Sequence, residues 1–169
     1  KCKWRNEKLC GDAITLDAVI ADAIPTDDLF DYVVTMQPTS PTLEVETLDK
    51  AIHYAIDNDL DTVISAINNP HLSWGEKDGK KIPNYKKRLN RQYLPPCYLE
   101  TGAFVISKRN VITPETRIGS KVDVFELSER EAVDVDTFED LKLVSSLLKK
   151  EKVAIYVNGN NKRGIGHIY

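Results

Sequence analysis

Residues 31–41, Asp-Tyr-Val-Val-Thr-Met-Gln-Pro-Thr-Ser-Pro, constrain the rest of the chain. An apolar, β-branched run over residues 32–36 stops abruptly at Gln37-Pro38-Thr39-Ser40-Pro41. Proline has no amide hydrogen to give a sheet ladder, so the strand must end there and the loop after it is stiff. The run therefore reads as a buried parallel strand. A helical pattern follows, with Leu48, Ala51, Ile52, Ala55 and Ile56 on one face. Glu44 and Glu46 stand in its first turn, where the helix dipole favours them. Residues 61–67 then give a second strand. Strand, helix and strand in this order imply an α/β fold with a parallel, right-handed crossover.

Ligands of open α/β sheets bind just beyond the carboxyl ends of strands. That makes Gln37, Thr39 and Ser40 candidate binding residues, with an amide that both donates and accepts and two hydroxyls. The same residues also read as a turn that merely joins strand to helix. Residues 131–140, Glu-Ala-Val-Asp-Val-Asp-Thr-Phe-Glu-Asp, carry two carboxylates two positions apart. On a short strand over residues 133–136, Asp134 and Asp136 would share one face. Two hard oxygen ligands suit Mg²⁺, which keeps several waters and bridges substrate phosphates. The alternative is a helix cap followed by a solvated acid, with Thr137 as the N-cap of the last helix.

Taken together and in this order, the segments resemble the acylneuraminate cytidylyltransferases, the CMP-sialic acid synthetases. That family has a strand ending in Gln-Pro-Thr-Ser-Pro, then Arg-Gln-x-Leu-Pro-x-x-Tyr. The second motif is matched here by Arg91, Gln92, Leu94, Pro95 and Tyr98. A Gly-Ala-aromatic strand follows, here Gly102-Ala103-Phe104, and then Asp-x-Asp before the last helix, here Asp134 and Asp136. The resemblance covers about residues 5–150. It implies a Rossmann-like nucleotide-diphospho-sugar transferase fold with a β-hairpin dimerisation arm. It also implies transfer of a cytidylyl group from CTP to an acidic nine-carbon keto sugar, with Mg²⁺ held by Asp134 and Asp136. Gln37, Thr39, Ser40, Arg91, Gln92, Tyr98 and Thr101 are the implied substrate-binding residues. Two departures stand out. Thr42 and Leu43 replace the usual Leu-Arg, and Thr101 replaces an Asn that contacts the sugar in the family.

The family opens with a Gly-rich loop containing Arg or Lys that grips the CTP phosphates; no such loop precedes residue 31. The expectation is a domain over residues 1–150 lacking its first strand and phosphate loop, and inactive by itself. Residues 151–169 then form a linker and the start of a second domain. A strand-like run over residues 153–157, followed by Gly164-Ile165-Gly166-His167, resembles the opening of a nucleotide-sugar hydrolase of the pseudaminic-acid pathway. It also reads as a glycine-rich tail.

Asp12 is an expected N-cap for a helix bearing Leu16, Val19, Ile20 and Ala23, which Pro25 ends. Residues 71–85, with Asp78-Gly79 at the centre, read as a hairpin with a type I′ turn. Its charge makes it a poor core element, and either a homodimer arm or an unpartnered excursion fits. Residues 99–107 and 122–127 are further strands, and Leu141, Leu143, Val144, Leu147 and Leu148 mark a final helix closed by Lys149 and Lys150.

Net charge of −3 gives no basic footprint for nucleic acid. No apolar run is long enough to span a membrane. Three cysteines without a Cys-x-x-Cys pair fit a reducing cytoplasm. His53, His71 and His167 lack metal-ligand spacing. Two other readings remain: a non-catalytic sugar-recognition and dimerisation module, and a metal-dependent glycosyltransferase using the Asp-x-Asp. The second is disfavoured because that motif ends an early strand in glycosyltransferases and here precedes the last helix.

Overall fold

A computed structural model describes residues 3–25 and 30–148. The strand-like run and Gly-x-Gly-His loop, the second domain expected over residues 151–169, Lys149, Lys150 and Cys2 lie outside the described residues. Among the described residues, three α-helices, α1 (Leu16–Ala23), α2 (Val45–Asp57) and α3 (Phe138–Leu148), accompany six strands. The strands are β1 (Tyr32–Met36), β2 (Thr62–Asn68), β3 (Trp74–Lys77), β4 (Lys80–Pro83), β5 (Tyr98–Lys108) and β6 (Val122–Glu126). Four of them form one sheet in the order β1-β5-β2-β6.

Strand β1 is not a buried parallel strand. Its one partner among the described residues is β5, antiparallel, from Tyr32 opposite Lys108 to Met36 opposite Phe104. Its residues are half-buried or exposed. A β-branched run specifies a pleated, apolar surface and says nothing of partner or direction. Strands β1 and β2 do run the same way, since both lie antiparallel to β5, but β5 stands between them. The adjacent parallel pair is β2 with β6.

The core lies where α2 covers the sheet. Ala51 and Ala55 are fully buried against Val63, Phe104 and Ile106, with Leu60, Ala103 and Leu127 around them. The two alanines let helix and sheet approach closely, and the large side chains come from the strands. Phe125 joins the layer through ring contacts with Phe104 and Tyr54. The Tyr32 hydroxyl donates to the carbonyls of Leu60 and Ala55 and ties β1 to the end of α2.

Thr15, not Asp12, caps α1, its hydroxyl accepting from the Ala18 amide. Asp12 lies too far before the first helical turn to reach that amide. At α3, Thr137 does accept from the Asp140 amide, while the Asp140 carboxylate accepts from the amide and hydroxyl of Thr137. Of the apolar positions expected on α3, Val144 is buried and Leu141, Leu143 and Leu148 remain about half exposed. Strands β3 and β4 form a separate two-stranded sheet. Asp78 and Gly79 at its turn have φ of 53° and 72°, the left-handed pair a type I′ turn requires.

Candidate functional site

The predicted residues gather at one edge of the sheet. Met36, Asn68 and Glu126 end β1, β2 and β6 there, and antiparallel β5 begins there with Tyr98. Gln37 follows directly from β1. Its side chain lies over Gly102, whose φ is +73°, and a Cβ added at Gly102 would stand 2.9 Å from Gln37 Oε1. Only glycine fits both that backbone and that approach. The sequence motifs around Gln37 and Gly102, 65 residues apart, thus meet.

The two acids come to the same place without a strand. Residues 133–136 belong to no strand or helix, so the expected strand is absent. The Val135 amide, between the two acids, donates to the Thr39 carbonyl at 2.8 Å. That single bond docks the Asp134–Asp136 loop on the Gln-Pro-Thr-Ser-Pro loop. Asp134 is half-buried and its Oδ1 is buried with no hydrogen-bond partner among the described residues. Asp136 is exposed. A buried, unpartnered carboxylate oxygen is costly and calls for a cation or donor. Among the described residues no cluster of three or more acidic, histidine or cysteine side chains forms a metal cage.

Glu131 holds this loop from behind, and sequence reasoning missed it. It is buried, with Oε2 accepting from the Ser128 hydroxyl at 2.7 Å and Oε1 from the Glu44 amide ahead of α2 at 3.3 Å. Burial pushes its carboxyl up, but hydrogen bonds from Thr47, Ser128 and the Glu44 amide outweigh this and hold it below the ordinary glutamate range. A buried carboxylate three residues before the paired acids leaves no periodic signal in sequence.

The fold is Rossmann-like α/β. The chain superposes on the crystal structure of 4-diphosphocytidyl-2C-methyl-D-erythritol synthase from Anaerococcus prevotii with a TM-score of 0.60 and 15% identity, over 80% of this chain and 67% of that one. It is also 26% identical over 160 residues to post-translational flagellin modification protein B of Campylobacter coli, covering 88% of this chain and 68% of the relative. No family model matches the chain.

The remaining candidates are placed less uniformly. Thr39 is half-buried and gives its carbonyl to Val135. Ser40 is buried and its hydroxyl has no described partner, so it faces inward. Thr101 is buried as well, and its hydroxyl is engaged by Ser65. Arg91 and Gln92 are exposed on a short 3₁₀ turn, with Arg91 donating to Asn69 Oδ1 just past β2 at 3.3 Å. Tyr98 is exposed at the start of β5. His53 is exposed on α2 and bonds to the Asp49 carbonyl within its own helix. Cys10 and Cys97 are exposed free thiols. No helix among the described residues is long and apolar enough to cross a membrane.

Proposed function

We propose that the protein transfers a cytidylyl group from CTP to an acidic nine-carbon keto sugar, as sialic acid or a relative of it would require. The anomeric hydroxyl oxygen forms a bond to the α-phosphorus, the bond from that phosphorus to the oxygen bridging to the β-phosphate breaks, pyrophosphate leaves and the hydroxyl proton passes to water. The chemistry asks for positioning and charge neutralisation more than for a covalent intermediate. The observation that carries this reading is the Val135–Thr39 bond, which brings an acid pair and a sugar-facing amide together at the ligand-binding edge of the sheet. Two comparisons support it: a structural neighbour named for a cytidyl product and a relative named for modification of flagellin.

In this reading Asp134 and Asp136 hold Mg²⁺, which when bound neutralises phosphate charge. Gln37 grips the sugar with an amide that donates and accepts at once. Thr39 fixes the loop through its carbonyl. Arg91 and Tyr98 stand at the end of β2, against Asn69 and Asn68, with Gln92 beside Arg91, and there a guanidinium can meet a carboxylate or phosphate through its planar fork. The reading also places the protein in the cytoplasm, consistent with the free thiols of Cys10 and Cys97. The test is Asp136→Asn in the full-length protein, followed by pyrophosphate release. Turnover should fall at least about a hundredfold, since metal charge stabilisation is worth several kcal/mol. Near-normal turnover would remove the acid pair from the mechanism.

A further inference from the structure

Strands β2 and β5 do not pair continuously. Ile64 faces Val105 and Ala66 faces Glu100, so Ser65 alone stands opposite residues 101–104. A bulge this wide in mid-sheet takes backbone groups out of the ladder, and buried ones need other partners. Ser65, fully buried, provides them. Its Oγ accepts from the Phe104 amide at 3.0 Å and donates to the Phe104 carbonyl at 2.9 Å. The Thr101 hydroxyl donates to Ser65 Oγ at 2.9 Å and accepts from the Ala103 amide at 3.4 Å. The one Ser65 proton and the one Thr101 proton are thereby both used, and neither hydroxyl has a donor left for a ligand. At the crest of the bulge sits Gly102, in the left-handed region and directly beneath the Gln37 amide.

We infer that Ser65 and Thr101 are a positioning pair for the sugar site: they lock the β5 bulge that seats the Gln37 amide on Gly102, and Thr101 acts through Gln37 rather than on the substrate. The sugar as the group recognised rests on the cytidylyl-transfer reading; the seating of Gln37 does not. Rotation of the Gln37 amide would present the wrong donor or acceptor to a sugar hydroxyl, so the bulge governs sugar affinity and leaves the nucleotide side alone.

The test uses the full-length protein labelled with ¹⁵N. The side-chain NH₂ signals of Gln37 are assigned by their loss in Gln37→Ala, then followed in Thr101→Val and Thr101→Ser. Binding of N-acetylneuraminate and of CTP with Mg²⁺ is measured in parallel. Valine keeps the shape and removes the hydroxyl; it should shift the Gln37 signals from their wild-type positions and weaken N-acetylneuraminate about tenfold, the worth of one hydrogen bond. CTP affinity should stay unchanged, and serine should restore both signal and affinity. Should the valine variant not fold, Gly102→Ala displaces the amide with both hydroxyls in place and must give the same signal shift. Gln37 signals that stay put in these variants, or equal weakening of sugar and CTP, would overturn the proposal. A wild-type protein that binds neither compound would sink the cytidylyl-transfer reading, and the Gln37 signals would still decide the positioning role.

Discussion

At the scale of single residues, the clearest electrostatic statement concerns Asp61, at the opposite edge of the sheet from the candidate site. Its carboxylate accepts from the amides of Ser120 and Lys121 and from the Ser120 hydroxyl, and pairs with Lys108, which also pairs with Asp59. The Lys121 amide, then Lys108 and Ser120, lower its pKa from 3.8 to about 2. A depressed carboxylate contributes stability above its unfolded pKa and loses it as pH falls through the folded one. Asp61→Asn should therefore lower Tm most near neutral pH, with the gap from wild type narrowing between about pH 4 and about pH 2. A gap independent of pH would show that the carboxylate's charge is not what ties this corner. On the functional side, Gln37→Ala should raise KM for the sugar about tenfold or more, one lost hydrogen bond, while KM for CTP holds; equal changes in both would contradict a sugar-side role. Gln37, Asp134 and Asp136 stand out as candidates in the sequence because prolines and paired acids interrupt apolar patterns. Ser65 and Glu131 do not: a serine inside a β-branched run and an acid in a polar loop look ordinary until burial shows what they hold.

At the scale of elements, local signals carried well and pairing did not. The helical face of α2, apart from Ile56, which is left half exposed, the Thr137 cap and the Asp78-Gly79 turn follow from short-range chemistry that sequence displays. The neighbour of β1 is a strand more than sixty residues later, and nothing in residues 32–36 encodes that choice. The acids likewise reach the site through one backbone bond and the Glu131 tether instead of a strand. Removing the tether should loosen the loop: Glu131→Ala is expected to cost about 1.5–3 kcal/mol, the range for buried hydrogen bonds to a charged group. Denaturant melts check the stability, and a matching loss of turnover checks the link to Asp134 and Asp136. Full activity in a destabilised variant would show that the loop finds its place without Glu131.

At the scale of the whole molecule, the β3–β4 hairpin stands apart from the main sheet and carries exposed Trp74, which meets Tyr85 edge-on, with exposed Tyr93 in the segment that follows. Aromatic residues of this kind are enriched at interfaces, and a homodimer built around residues 68–98 is expected. Light scattering on the chain should give about twice its 19.1 kDa, and a monomer at high micromolar concentration would reject the arm as a dimer element. What the whole molecule does depends on whether the joined loops serve cytidylyl transfer. The direct measurement is mass spectrometry of the full-length protein incubated with Mg²⁺, a panel of nine-carbon keto acids and each of CTP, UTP and ATP in turn. A CMP-sugar should form with one or more of the acids, from CTP in preference to the others, with pyrophosphate in equal amount and loss of both in Asp136→Asn. No nucleotide-linked sugar, or one formed equally from UTP or ATP, would contradict cytidylyl transfer.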